Sequence, residues 1–271
     1  MWPTLGETLI TTLEAIRFVA LSAAVAGALP AGSEPTLASL TSDYRPGFRE
    51  TQTLLDPDAL TLFKRGVMHD KGQGVPQDRT EALRWYRMAA DMGLSAAQYN
   101  LGQMYSHGDG VPQDRAEASH WYRLSADQGL AEAQYNLGML YYNGNGVSQD
   151  FAEARRWFQL AAVQGDAEAQ NNLAAIYSLG KGVALDYQQA MYWYRLAAEQ
   201  GDAVAQYNLA NMYASGQGVP PDPIMAHCLF SLSAAQGDRD ALEMRNRLER
   251  KMTKAEVTAS QKLAVGWKPK K

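Results

Sequence analysis

Apolar side chains recur along the middle of the chain at three- and four-residue steps, and the whole pattern repeats every 36 residues. Most copies contain an alanine, a leucine four positions later and a tyrosine four positions after that. The three clearest copies are Ala97, Leu101 and Tyr105; Ala133, Leu137 and Tyr141; and Ala169, Leu173 and Tyr177. This spacing is the period of one helix face, so the pattern predicts an amphipathic helix at the start of every copy.

A second helix is predicted after a glycine-rich break in every copy. Gly108 and Gly110 end the first helix of one copy, because glycine readily adopts the left-handed backbone that follows a last helical turn. Asp114 is then the expected N-cap of the second helix, and Glu117 is its partner in an acidic capping box. The same box recurs as Asp78/Glu81, Asp150/Glu153 and Asp186/Gln189. The sequence therefore predicts two antiparallel helices per 36 residues.

Five such units follow one another without insertion or deletion. They span residues 58–94, 95–130, 131–166, 167–202 and 203–238. A fixed period of this length is typical of a solenoid, in which every unit buries its apolar face only against its neighbours. Residues 239–271 are expected to form capping helices over 240–252 and 255–267, followed by a basic tail. The second capping helix opens with the capping box Thr253/Glu256.

The motif A-x-x-x-L-G-x-x-Y-x-x-G-x-G-V-x-x-D-x-x-x-A-x-x-W-Y-x-x-A-A-x-x-G runs almost unbroken through units two to four. By this motif the chain resembles the Sel-one-like repeat (SLR) family, relatives of tetratricopeptide repeats. The resemblance covers residues 58–267 and implies an all-α, right-handed α/α superhelical solenoid of five 36-residue helix-turn-helix repeats with a C-terminal helical cap. Units one and five depart from the motif at His69 and Leu229, as expected of terminal repeats whose outer face has no neighbour.

The N-terminal region does not carry the repeat. Residues 18–29 form a short apolar run that follows Arg17 and ends in small residues, which is the layout of a secretory signal peptide. The alternative is an amphipathic helix on the first repeat, because Glu7 and Glu14 are unusual before a signal sequence. We expect residues 1–33 to be a signal peptide or N-terminal helix and residues 34–57 to be a linker. The expected location is periplasmic or secreted, with a cytoplasmic location as the alternative.

Charge and cysteine content narrow the function classes. The formal net charge is −4, whereas nucleic-acid binding needs clustered Lys and Arg, so no nucleic-acid partner is expected. The apolar run is also shorter than the roughly 20 residues of a membrane span. Cys228 is the single cysteine, so no intramolecular disulfide can form. Some exported SLR proteins carry a cysteine pair in every repeat, and the analogy with their activities is weakened by its absence here.

The sequence offers few candidates for catalysis or metal binding. Its four histidines occupy unrelated motif positions, and no two of them have the i, i+4 spacing that builds a metal site. They are His69, His107, His120 and His227. Ser178 and Lys181 match the S-x-x-K pattern of penicillin-recognising enzymes, but they lie in an interhelical loop and no K-T-G accompanies them. We expect no catalytic residue, metal, cofactor or small-molecule substrate.

The resemblance places the first helix of each unit along a concave groove, and the groove positions hold tyrosines and amides. The candidate partner-binding residues are Tyr99, Asn100, Gln103, Tyr135, Asn136, Met139, Tyr142, Asn171, Asn172, Tyr207, Asn208 and Asn211. Such a ladder can hold an extended peptide, because the amides pair with its backbone and the rings cover its side chains. In the alternative interpretation, the asparagines bond neighbouring helix ends and the tyrosines belong to the core. Binding would require Tyr99, Tyr135 and Tyr207 to be exposed.

Three function classes follow. The favoured one is a non-enzymatic adaptor or regulator in the bacterial envelope that binds a peptide segment of a partner protein. The alternatives are a hydrolase of cell-wall or β-lactam substrates, by analogy with the cysteine-rich relatives, and a structural spacer in an envelope complex. The sequence shows no nucleophile paired with a base, which disfavours the hydrolase. The aromatic residues of the groove disfavour the spacer.

Overall fold

The computed structural model of the chain describes residues 57–267, which form twelve α-helices and no strand. The helices are α1 (Pro57–Lys71), α2 (Arg79–Asp91), α3 (Ser95–His107), α4 (Arg115–Asp127), α5 (Ala131–Asn143), α6 (Phe151–Val163), α7 (Ala167–Leu179), α8 (Tyr187–Glu199), α9 (Ala203–Ser215), α10 (Pro223–Ala235), α11 (Arg239–Glu249) and α12 (Lys254–Gly266). The predicted signal peptide or N-terminal helix, the linker up to residue 56 and the tail from residue 268 lie outside the described residues.

Helices α1 to α10 form five consecutive pairs, and the predicted all-α solenoid is confirmed. We call the first helix of each pair helix A and the second helix B. Each helix from α1 to α10 packs against the next one in the sequence. Every unit therefore buries its apolar side against its neighbours, which is the packing that a fixed repeat period predicts.

The predicted aspartates cap helices B, but the second half of the predicted capping box is wrong. The Asp114 side chain accepts hydrogen bonds from the backbone N–H groups of Ala116 at 2.9 Å and Glu117 at 3.1 Å. The Asp114 N–H donates to the carbonyl of Tyr105 at 2.8 Å, so this N–H is not available to the Glu117 side chain. The same backbone bond recurs in all five units. Each aspartate thus begins helix B and also fastens it to helix A.

The tryptophans of helices B lie in the core. Trp121, Trp157 and Trp193 expose only 5%, 1% and 2% of their surface. Alanines that are fully buried accompany them at the helix crossings, for example Ala118 and Ala154. The small residues allow the helices to approach closely while the large indoles fill the space between units.

Each unit also contacts the previous one through the second glycine of its A–B loop. Gly110 has φ +71°, and a Cβ atom added there would lie 2.6 Å from the carbonyl carbon of Arg79, the first residue of α2. Gly182 and Gly218 lie in the same way against the first residue of the previous helix B. Glycine is therefore required there both for the backbone angle and for the close contact between units.

A ladder of buried glutamines joins successive units. Gln134, near the start of α5, is 2% exposed, and its Nε2 donates to the carbonyl of Ala126 in the previous unit at 3.1 Å. Its Oε1 accepts from Nε2 of Gln164, at the end of α6, at 2.8 Å. The same pair of bonds recurs at Gln98, Gln170 and Gln206. These bonds satisfy polar atoms that would otherwise be buried without partners.

The two capping helices both pack against α10. Their observed bounds, α11 (Arg239–Glu249) and α12 (Lys254–Gly266), are close to the predicted ones. The capping box of Thr253 and Glu256 at the start of α12 is confirmed.

His227 of α10 contacts both capping helices. It is 2% exposed, its Nδ1 is 2.7 Å from Oγ of Ser260 in α12, and its Nε2 is 3.6 Å from a carboxylate oxygen of Glu249 in α11. Burial lowers the pKa of His227 because it disfavours the charged ring, and the nearby Arg245 acts in the same direction while Glu249 opposes it. The cap is therefore attached through a neutral histidine.

Candidate functional site

The predicted groove residues lie along helices A of units two to five, and together they define the helix-A face. The face comprises Tyr99, Asn100, Gln103, Tyr135, Asn136, Met139, Tyr142, Asn171, Asn172, Tyr207, Asn208 and Asn211, all of them partly exposed. Side chains of successive helices A meet there: Asn208 Nδ2 donates to Asn171 Oδ1 at 3.2 Å. The face is thus continuous from one unit to the next.

The three tyrosines two positions before the motif leucine are partly rather than fully exposed. Each ring packs on the aromatic residue of helix B in its own unit. The ring centroids are 5.9 Å apart for Tyr99–Tyr122, 6.0 Å for Tyr135–Phe158 and 5.7 Å for Tyr207–Phe230. One side of each ring therefore belongs to the core, and the rest of the side chain borders the helix-A face.

The tyrosine hydroxyls and the amides form a polar ladder between units. Gln103 Nε2 donates to the Tyr99 hydroxyl at 2.8 Å, and the same hydroxyl contacts Asn136 of the next unit. Asn136 Nδ2 also donates to the backbone carbonyl of Glu132 at 2.8 Å. The ladder thus includes intra-solenoid bonds of the kind that the alternative interpretation of the asparagines predicted. Each amide retains hydrogen-bonding capacity that the ladder does not use.

Four carboxylates lie beside this ladder at the N-terminal ends of helices A. They are Glu132, Asp166, Glu168 and Asp202. Burial, and then the charge of Glu132, raise the pKa of Tyr99. Burial also raises the pKa of Asp166, and the charges of Glu168 and Glu132 raise it further. Four carboxylates so close together give this part of the face a negative potential.

Tyr142 lies towards the other end of the helix-A face. Lys181 from the next unit donates from Nζ to the Tyr142 hydroxyl at 2.7 Å and lies 4.6 Å from the ring centroid, and Phe151 meets the ring edge-on at 5.3 Å. Ser178 Oγ instead donates to the carbonyl of Ala175 at 3.1 Å. Because Lys181 is bound to Tyr142, the S-x-x-K match does not assemble a nucleophile with its base.

A second aromatic arrangement, which the sequence analysis missed, lies between helices B and the following unit. Arg87 of α2 lies 4.8 Å from the ring centroid of Trp121 and donates to the hydroxyl of Tyr105 at 2.6 Å. Arg123 makes equivalent contacts one unit later. The signal was available, because these residue types recur 36 positions apart. The guanidinium groups of Arg87 and Arg123 bond within the solenoid, so the arrangement stabilises the stack.

Other kinds of site find little support in the described part of the chain. Within residues 57–267 no group of three or more His, Cys, Asp or Glu side chains could hold a metal ion. No helix in this range has the length and apolar character needed to cross a membrane. Burial raises the pKa of Cys228 to about 11, so its thiol stays protonated and weakly reactive near neutral pH.

Comparisons with known proteins agree with this architecture. The family model of the Sel1 repeat matches residues 59–94, 95–130, 131–166, 167–202 and 203–238. The chain is similar to c5321, a protective antigen of uropathogenic Escherichia coli strains that displays an SLR fold, with a TM-score of 0.70 and 38% identity over 77% of this chain and 44% of that one. It is also similar to a Sel1 repeat protein from Oxalobacter formigenes, with a TM-score of 0.66 and 35% identity over 71% and 81% of the two chains. The chain therefore spans less than half of the c5321 structure. A comparison with curated proteins finds no match.

Proposed function

We propose a function on one premise: the chain belongs to the Sel1 repeat family, whose members are generally protein-interaction scaffolds and typically non-enzymatic. The chain acts as an adaptor or regulator, and it binds an extended peptide segment of a partner protein along the helix-A face. It requires no cofactor and transforms no small molecule.

The observation that carries this proposal is the row of partly exposed tyrosines and amides that crosses four units without a break. A tyrosine held against a core aromatic loses little side-chain entropy on binding, and tyrosine is enriched among the residues that contribute most to interfaces. The neighbouring amides offer donors and acceptors that match a peptide backbone. An extended segment fits best, because it can contact equivalent residues in successive units.

We place this activity in the bacterial envelope, on the basis of Arg17 and the apolar run over residues 18–29. Cell fractionation with determination of the mature N-terminus tests this location. The expected result is a periplasmic chain that begins near residue 34. A cytoplasmic chain that retains residues 1–33 would contradict the envelope location and leave the binding proposal intact.

Site-specific photo-crosslinking tests the binding proposal. Benzoylphenylalanine is placed at Met139 on the helix-A face and, as a matched control, at Arg156 on helix B of the same unit. After irradiation in cells of the source organism, we expect a discrete crosslinked protein from position 139 and none from position 156. The double substitution Tyr99→Ala, Tyr135→Ala should abolish the product.

The stability of the double variant must be measured alongside, since both rings also pack on helix B. Each lost ring contact is expected to cost about 1 kcal/mol beyond its buried area, which a five-unit solenoid tolerates. A folded double variant that still forms the product would move the binding site away from the helix-A face. Absence of any product from either position would favour a structural spacer.

A further inference from the structure

Positive charge is scarce along the helix-A face, where Lys181 bonds to Tyr142 at one end. Units two to five contain six Lys and Arg residues, and none lies in a helix A. Five of them are on helices B, and the sixth, Lys181, is in an A–B loop. Among Asp, Glu, Lys and Arg, these four helices A contain only Glu132 and Glu168. Lys181 contacts the face at Tyr142, but a partner beside Tyr99 and Tyr135 meets no Lys or Arg from the helices A themselves.

Two carboxylates on this face lack a countercharge. Glu132 and Glu168 are exposed, and neither forms an ion pair with any of the described residues. The Glu168 carboxylate also contacts the hydroxyl of Tyr135. Asp166 and Asp202 add charge at the same end of the face. They cap helices A by accepting hydrogen bonds from the backbone N–H groups of Ala169 and Ala205. The acidic groups are therefore next to the tyrosines and not on a separate surface.

We propose that the occupant of the helix-A face is a basic extended segment, whose Lys or Arg side chains lie between Glu132 and Glu168 and against Tyr99 and Tyr135. This inference rests on the proposed function and adds the chemistry of the partner. A Lys or Arg side chain suits this site doubly, because its head pairs with the carboxylates and its stem or cation contacts the rings. An acidic segment would meet uncompensated repulsion from the same carboxylates.

Fluorescence anisotropy with defined peptides tests the inference. The probe is a fluorescein-labelled peptide of alternating lysine and serine, and its counterparts replace lysine by glutamate or by glutamine. The full chain should bind the lysine peptide, in a manner that weakens with added salt, and should bind the other two at least about tenfold more weakly.

Charge-neutral variants locate the effect. The pair Glu132→Gln, Glu168→Gln should raise the dissociation constant of the lysine peptide by about tenfold, because two charge contacts are removed. The control pair Glu117→Gln, Glu153→Gln makes the same change in net charge on helices B and should alter binding by less than about twofold. Thermal melts should show that both pairs remain folded.

The outcomes separate this inference from the proposed function. If the glutamine peptide binds as tightly as the lysine peptide, and binding is lost in Tyr99→Ala, Tyr135→Ala, the face binds peptides but the basic partner is refuted. If the control pair weakens binding as much as the first pair, the attraction is non-specific and the inference is overturned. If the lysine peptide binds but neither the tyrosines nor Glu132 and Glu168 affect its affinity, both the inference and the proposed site fail.

Discussion

The glycine that contacts the previous unit allows a direct test of how the units are held together. Gly110 has φ +71°, and an added Cβ would lie 2.6 Å from the carbonyl carbon and 2.7 Å from the carbonyl oxygen of Arg79. Gly93 has φ +88°, but nothing lies within 4 Å of its Cβ position. Gly93→Ala therefore introduces backbone strain alone, whereas Gly110→Ala adds a collision with α2.

The two costs can be compared. A non-glycine residue in the left-handed conformation costs about 1–2 kcal/mol. Overfilling a packed region adds about 1–3 kcal/mol, and here the atoms in contact belong to the backbone and cannot rotate away. We expect Gly93→Ala to lower the free energy of unfolding by about 1–2 kcal/mol and Gly110→Ala by about 2–5 kcal/mol. Because φ is more positive at Gly93 than at Gly110, the backbone strain of an alanine at Gly93 should be at least as large as at Gly110. Any additional loss in Gly110→Ala is therefore due to the collision with α2.

Urea unfolding of the full chain, followed by far-UV circular dichroism, measures both values. Gly110→Ala should show the larger loss of stability by at least about 1 kcal/mol. Equal losses in the two variants would mean that α2 moves aside without cost, and the inter-unit contact would then not explain the glycine.

Two further changes test the polar interior. Gln134→Leu removes a buried amide from the ladder and should lower the free energy of unfolding in urea by about 1–3 kcal/mol. Gln149→Leu, at an exposed position where unit four already has leucine, should change it by less than about 0.5 kcal/mol; similar losses in both would contradict a special role for the ladder. The pKa of His227 is lowered in the folded state, so that state binds fewer protons than the unfolded chain does. The stability that the neutral ring contributes is fully present above pH 6.5 and is lost as the pH falls through the folded-state pKa. His227→Gln should therefore reduce the fall in Tm between about pH 8 and about pH 5. An unchanged fall would show that protonation of His227 does not contribute to the pH dependence of stability.

The helices could be predicted from the sequence because their ends have local causes. Gly108 adopts the left-handed conformation that ends α3, and the Asp114 side chain caps α4, in agreement with the sequence analysis. These effects depend on residues a few positions apart, so they do not require knowledge of neighbouring units. The Glu117 half of the capping box was wrong for the opposite reason, since the N–H of Asp114 bonds across to helix A.

The contacts between units were harder to predict. Gln134 near the start of a helix resembles a surface residue, and only the approach of the previous unit buries it. The exposure of Tyr99 likewise depends on how closely its ring packs against the ring of Tyr122, and the helical period does not specify this contact. The sequence did place Tyr99 and Asn136 on one side of helices A, but their mutual contact depends on the rotation between units.

The glutamine ladder has a consequence for how a protein of this kind can change in length during evolution. Gln134 and Gln170 accept the same bond from the end of their own units and donate the same bond to the unit before. Loss of residues 131–166 by recombination would therefore place Gln170 where it can donate to the carbonyl of Ala126, which now accepts from Gln134. No polar group at the junction would be left without a partner. Duplication of a unit is equally neutral, so the binding face can grow or shrink in whole 36-residue steps while the packing rules stay the same.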